Sequence, residues 1–202
     1  MSKPEVSANI HPEFSRQLKQ EDKEALLQQQ GSVIWLIGLS GSGKSTIANA
    51  MERKLHNEGK YVVILDGDNL RSGINAGLSF SSEDREENIR RASEIAKIFR
   101  NNGAIVLVSL ITPQEKFRQM ARAIISGNFT ECYVKASFET CQQRDVKGLY
   151  AKQKAGQIEN FTGKTSNFEE PQNPDIVLNT ETLSLEECVD QLHSFIEPKI
   201  SL

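Results

Sequence analysis

The segment Gly38-Leu39-Ser40-Gly41-Ser42-Gly43-Lys44-Ser45-Thr46 fits the pattern G-x-x-x-x-G-K-[ST], with an apolar run before it and a helix-forming stretch after it. Residues of these types at this spacing bind a polyphosphate. The glycines let the backbone turn its N–H groups inward around a β-phosphate, Lys44 sets a positive charge beside the β and γ oxygens, and the Ser45 hydroxyl can ligate Mg²⁺. Gly38 to Thr46 are therefore expected to hold ATP, with Lys44 also acting on the group transferred. A glycine-rich turn that only joins a strand to a helix needs neither the lysine nor the hydroxyl after it. A dinucleotide-binding G-x-G-x-x-G reading fails, because Gly41 and Gly43 are followed by Thr46 where the third glycine belongs.

A second group of chemical residues follows in Leu65-Asp66-Gly67-Asp68-Asn69-Leu70-Arg71. One carboxylate here can accept or orient the proton of a hydroxyl and organise water on Mg²⁺, while the arginine can pair with an anionic part of a substrate. Spacing alone does not divide those roles between Asp66 and Asp68, and an Asp/Gly/Asn turn at a strand end is the plain alternative. No N-K-x-D segment for guanine recognition is present.

These residues must be placed by a frame, and the chain supplies one. Val33–Ile37, Tyr61–Leu65, Ala104–Leu110, Cys132–Val134 and Ile176–Leu178 read as strands, without the polar alternation of a half-exposed sheet. Between or after them, Lys44–Glu58, Glu83–Arg100, Gln114–Ser126 and Leu185–Ile196 read as helices. The β-α-β-α-β order predicts an α/β fold with a mainly parallel sheet covered on both faces, and places Asp66, Asp68 and Arg71 at its C-terminal edge, where such folds bind ligands. Ser81 or Ser82 can cap the helix near Glu83. Arg85 and Asn88 then share a face near its N-terminus, with Ile89, Ala92, Ala96 and Phe99 as the inward stripe.

The 202 residues suit one compact domain over 31–202, with residues 1–30 as an N-terminal extension and a lid at 147–171, where the apolar period is weak. A net charge of -3 gives no electrostatic basis for nucleic-acid binding, so a small anionic ligand fits better than a polymer. No stretch approaches the roughly 20 apolar residues of a membrane span, and Met1 to Gln20 lacks the apolar core of a signal peptide, which implies a cytoplasmic protein. Cys132, Cys141 and Cys188 form no C-x-x-C pair and are expected to be buried, reduced and inert.

From about Ser32 onward the sequence resembles the adenylylsulfate kinase family. The likeness is carried by GLSGSGKST, by LDGDNLRSGIN running into LSFSSEDREENIRR, and by DVKGLY and NFTG further on. The resemblance implies a three-layer sandwich of the P-loop NTPase type and transfer of the γ-phosphate of ATP to the 3′-hydroxyl of adenosine 5′-phosphosulfate, with Mg²⁺ at Ser45 and Asp66. It further implies that Asp66 and Asp68 lie at the reacting hydroxyl and that Asp68, Arg71, Arg85 and Asn88 hold the acceptor. Phe80 would stack on its adenine, and Ile111, Lys147, Asn160 and Phe161 would contact it. Thr112 stands where family members carry an active-site serine, so it joins the catalytic and acceptor-binding candidates. A homodimer is implied, with ATP sulfurylase as a separate pathway enzyme. Leu110, Thr112, Ala151 and Lys164-Thr165 depart from the usual family residues. They keep open a related kinase acting on another nucleotide or polyol. The carboxylates and arginines speak against a module that only senses nucleotide.

Overall fold

The computed structural model describes residues 9–11, 13–145, 148–154, 156 and 168–202. Among these, five strands form one sheet: β1 (Ser32–Ile37), β2 (Val62–Asp66), β3 (Ile105–Ser109), β4 (Phe129–Lys135) and β5 (Ile176–Asn179). Their order is β2-β3-β1-β4-β5, and every pair is parallel. The helices are α1 (Gln20–Leu27), α2 (Lys44–Asn57), α3 (Gly67–Ser72), α4 (Ser82–Arg100), α5 (Glu115–Ile125), α6 (Phe138–Arg144), α7 (Leu149–Lys154) and α8 (Leu185–Ile200), after a short 3₁₀ turn at Phe14–Arg16.

The lack of polar alternation in β1 has the expected cause. Val33, Trp35 and Ile37 pack with Ile89, Ala92 and Ala96 of α4 and Phe117 and Ala121 of α5. Ile34 and Leu36 point the other way, onto Ile47, Met51 and Leu55 of α2 and Leu192 and Ile196 of α8. Each large side chain buried this way contributes about 1.5–3 kcal/mol relative to exposure. Helices on both faces of a parallel sheet make the three-layer α/β/α sandwich that the sequence predicts.

Ser81 caps α4, its hydroxyl accepting from the Asp84 N–H, and Ser184 with Glu187 forms a reciprocal capping box on α8. Two boundaries differ from the sequence reading by three residues or more. β4 begins at Phe129 rather than Cys132, because Thr130 and Glu131 break the apolar run yet are buried. Glu131 lies 3.8 Å from both Arg118 and Arg122, which offset the cost of burying its charge, although burial still pushes its pKa up. α8 runs on through Pro198 to Ile200, whose side chain is buried against the sheet. The short helices α1, α3, α6 and α7 were not anticipated.

Residues 20–30 are not a free tail. The wholly buried Gln29 side chain donates to Tyr61 O and Gly103 O at 3.0 and 2.7 Å, and the Gln30 N–H donates to Ile200 O at 2.8 Å. These contacts lie at the N-terminal end of the strands, opposite the edge that carries the phosphate loop. The three cysteines are free and buried, as expected. None of the described helices is long and apolar enough to cross a membrane.

Candidate active site

β1 ends at Ile37, and the chain turns at once through a loop that only glycine can follow at two points. Gly38 has φ +146° and sits against the Val134 carbonyl, where a Cβ would collide; Gly41 has φ +83° and an added Cβ would stand 3.0 Å from Cys141 O. The carbonyls of the loop are drawn outward by side chains from three separate elements. Tyr150 of α7 donates its hydroxyl hydrogen to Ser40 O at 2.7 Å, Arg144 of α6 reaches Gly41 O at 3.3 Å, and Thr180 after β5 donates to Ser42 O at 2.9 Å. Arg144 also holds Thr180 through its hydroxyl and carbonyl at 3.0 and 2.7 Å. Burial pushes the Tyr150 phenol pKa well up, so the hydroxyl stays a donor. The buried Lys44 ammonium donates to Gly38 O at 2.9 Å and Leu39 O at 2.7 Å, which holds its charge over the mouth of the loop.

The acidic pair stands beside that loop. Asp66 ends β2 and caps α3, its Oδ1 accepting from the Asp68 N–H at 3.0 Å, while its Oδ2 accepts from the Ser45 hydroxyl at 2.6 Å. Ser109, in register with Asp66 across β2 and β3, brings a third oxygen to 3.1 Å from Ser45 Oγ. These are hard oxygen donors of the kind Mg²⁺ prefers, with too few protein ligands to complete its shell. A shell finished by phosphate oxygens and water fits this donor set, and the described residues contain no His/Cys/Asp/Glu cluster of another metal type. Sequence reading missed Ser109, for which the strand register is the signal.

Beyond the aspartates lies the cationic half. Arg71 donates to Leu78 O and Ser79 O at 3.0 and 2.9 Å and lies 4.4 Å from the centre of the Phe80 ring. Arg85 donates to Phe80 O at 2.9 Å, with its guanidinium 5.8 Å from the same ring. Burial lowers the Arg71 pKa, partly countered by Asp84 and Asp68; burial and then the Arg71 charge lower that of Arg85. Both stay cations, but two desolvated, mutually repelling guanidiniums gain from an incoming anion. Phe80 is half-exposed and lines the cleft with its flat apolar ring. Asn88, nearly buried, completes this wall and accepts from the Asn75 amide at 3.0 Å.

One cleft of about 720 Å³ joins the two halves, running from Lys44 and Ser45 past Asp66 and Asp68 to Arg71, Arg85 and Asn88. Ile111 also lines it, whereas Gly38, Leu39 and Ser42 support the loop from behind. Thr112 faces both the cleft and the core. It lies on the cleft wall, but it is buried, at φ +46°, and its hydroxyl accepts from the Trp35 indole N–H at 2.8 Å. That bond ties the oxygen to the central strand β1. Lys147, Asn160 and Phe161 lie outside the described residues, as do Lys164 and Thr165. Of the expected lid, Leu149–Lys154 is helical, with Lys152 and Lys154 exposed. The return of that segment is anchored: the Glu169 N–H donates to Pro113 O at 2.8 Å and its carbonyl accepts from the buried Arg118 at 3.0 Å.

A parallel α/β/α sandwich with a lysine-bearing phosphate loop, and with a carboxylate pair between it and an anion site, defines the chain as a P-loop kinase. The family model described as "Adenylylsulphate kinase" matches residues 30–179. The chain belongs to the adenylylsulfate kinase family. It is 53% identical to an adenylyl-sulfate kinase of Phocaeicola vulgatus over 94% of each chain, and 50% identical to one of Bacteroides fragilis over 98% of each. Among solved structures, the Mycobacterium tuberculosis APS kinase in complex with AMPPNP and APS is 42% identical, with a TM-score of 0.81, covering 83% of this chain and 98% of that one. A Sinorhizobium meliloti gluconokinase, at 18% identity and TM-score 0.56, shares the fold.

Proposed function

We propose that the protein is an ATP-dependent kinase that phosphorylates the 3′-hydroxyl of adenosine 5′-phosphosulfate, releasing ADP and 3′-phosphoadenosine 5′-phosphosulfate. The observation that carries this reading is the single cleft in which Asp66 and Asp68 separate the Lys44 loop from the Arg71–Phe80–Arg85 wall. A phosphosulfate matches the paired guanidiniums, an adenine ring matches Phe80, and a ribose between them falls beside the carboxylates.

In the transfer, the ribose 3′-oxygen forms a bond to the γ-phosphorus as the bond from that phosphorus to the β–γ bridging oxygen breaks, and the electron pair leaves with ADP. The hydroxyl proton passes to a carboxylate of the pair or to water it orients. Asp66, tied to Ser45, stands on the donor side and Asp68 on the acceptor side. Lys44 and the loop N–H groups stabilise charge on the migrating phosphoryl group and the leaving oxygens. Ser45 and Asp66, with Ser109 close by, are the residues that would hold Mg²⁺, which when bound supplies charge neutralisation on the phosphates. No covalent enzyme intermediate is required, since placing both substrates in line suffices.

The proposal extends to a homodimer in the cytoplasm, fed by an ATP sulfurylase on another chain; light scattering on the purified protein tests the dimer. Supplying ATP with adenylyl sulfate, AMP, a cytidine nucleotide or gluconate in separate reactions, and following ADP release with mass analysis of products, tests the activity. Adenylyl sulfate is expected to give the highest kcat/KM and a product heavier by one phosphoryl group on the ribose. A clear preference for another acceptor overturns the assignment.

A further inference from the structure

Asn75 lies in the turn between α3 and α4, wholly buried and fixed by its backbone, with its N–H on Leu70 O at 2.8 Å and its carbonyl accepting from Leu78 N–H at 3.2 Å. Its side-chain nitrogen donates to Asn88 Oδ1 at 3.0 Å, while its own Oδ1 is buried with no hydrogen-bond partner among the described residues. Buried unpaired carbonyls are rare in folded proteins and call for a reason. Packing does not provide one, because leucine has nearly the same shape and would fill the space without an orphaned acceptor. Among the described residues, the side-chain partner of Asn75 is a residue of the acceptor wall.

We propose that Asn75 is a positioning residue for the acceptor: by holding Asn88 Oδ1 it fixes that amide so that its N–H, and not its carbonyl, faces the cleft. The proposal rests on the acceptor reading given above. Its consequence is that Arg71, Arg85 and Asn88, unlike the carboxylate of Asp68 beside them, all present donors to the cleft. The Asn88 nitrogen joins the guanidinium of Arg85, one turn earlier on α4, and that of Arg71 across the turn. Those three groups together take the part of a ligand that presents only acceptor atoms, as phosphate, sulfate and ribose-ether oxygens do. Were the Asn88 amide reversed, a carbonyl dipole would oppose those oxygens, and binding would weaken without any loss of shape. Asn75 itself does not line the cleft; it acts on the ligand only through Asn88.

A double-mutant cycle separates that role from a structural one. Initial rates are measured for the parent protein, Asn75→Leu, Asn88→Ala and the double variant, varying adenylyl sulfate and ATP independently, with thermal unfolding of each. Asn75→Leu is expected to lower kcat/KM for adenylyl sulfate by about tenfold, mostly through KM, with the ATP KM unmoved. In the Asn88→Ala background the same change should cost less than about twofold, because the amide it orients is gone. An equal loss in both backgrounds, or an ATP KM that rises in parallel, overturns the proposal. If Asn75→Leu does not fold, Asn75→Asp replaces it. It has the same shape and, when ionised, draws the Asn88 N–H away from the cleft, so the acceptor KM should rise again with the ATP KM fixed. A parent protein inactive on adenylyl sulfate would defeat the acceptor reading instead, which keeps the two failures apart.

Discussion

Trp35, in the middle of the central strand, donates its indole N–H to the hydroxyl of Thr112 at 2.8 Å, joining positions 77 residues apart. The bond pins the loop after β3 to the core exactly where that loop forms the floor of the cleft. It also accounts for a β-branched residue at φ +46°, a conformation such side chains seldom adopt.

Thr112→Ala should therefore act on stability before chemistry. It leaves the Trp35 N–H buried without a partner, at a cost of about 1–3 kcal/mol, and disturbs the neighbouring Ile111 and Pro113. Activity is expected to fall without being abolished, and Thr112→Ser, which keeps the acceptor oxygen, should restore most of both. Denaturant unfolding and steady-state rates check this. A folded Thr112→Ala protein with no turnover, together with phosphate trapped covalently on the parent, would reinstate a catalytic hydroxyl.

Why one part of the site is legible in sequence and another is not follows from the range of its contacts. The phosphate loop is local: the backbone turn demands glycine at Gly38 and Gly41, and Lys44 follows within one turn of α2. β1 and β3 are legible because both faces are buried and the apolar runs are unbroken. The start of β4 is hidden, since Thr130 and Glu131 are buried by partners that no periodicity reveals. The brace on the loop is hidden for the same reason, its hydrogen bonds spanning 103, 110 and 138 residues. Thr112 shows a further limit. A hydroxyl at a family position invites a chemical role, while its direction is decided by an indole on another strand.

Lys44→Ala should lower kcat by roughly 10²–10³-fold, the size of effect seen when one preorganised charge or donor on a developing oxyanion is removed. The fold should persist, because the loop carbonyls that Lys44 bonds, Gly38 O and Leu39 O, can be served by water in its place. Circular dichroism and single-turnover rates are the readouts. Undiminished turnover would be fatal to the assignment of the phosphate site.

Tyr150→Phe removes the hydroxyl that donates to Ser40 O at 2.7 Å and leaves the ring packed edge-on to Phe138. The loop then loses one of the groups drawing its carbonyls outward. The KM for ATP should rise by about 2–10-fold, matching the loss of an ordinary buried hydrogen bond, while the adenylyl sulfate KM stays put. A shift confined to the acceptor KM would show that Tyr150 serves the lid side instead.

Glu181, just after β5, gives a pH test of how the P-loop side of the molecule is held. Its carboxylate accepts from Ser137 Oγ at 2.6 Å, from the Ser137 N–H at 3.2 Å and from the Thr140 hydroxyl, and these bonds lower its pKa to about 2. In the unfolded chain the same carboxyl takes up a proton near 4.5, before the folded one does, so acid favours unfolding. The stabilisation is thus complete above about 4.5 and is lost as pH falls towards about 2. Glu181→Gln keeps an acceptor oxygen and removes only the charge. The melting-temperature gap between parent and variant should be widest near neutrality and close progressively below pH 4.5. A gap that stays constant into acid would mean that the anionic carboxylate contributes nothing beyond the neutral amide, and that Ser137 and Thr140 hold this turn by geometry alone.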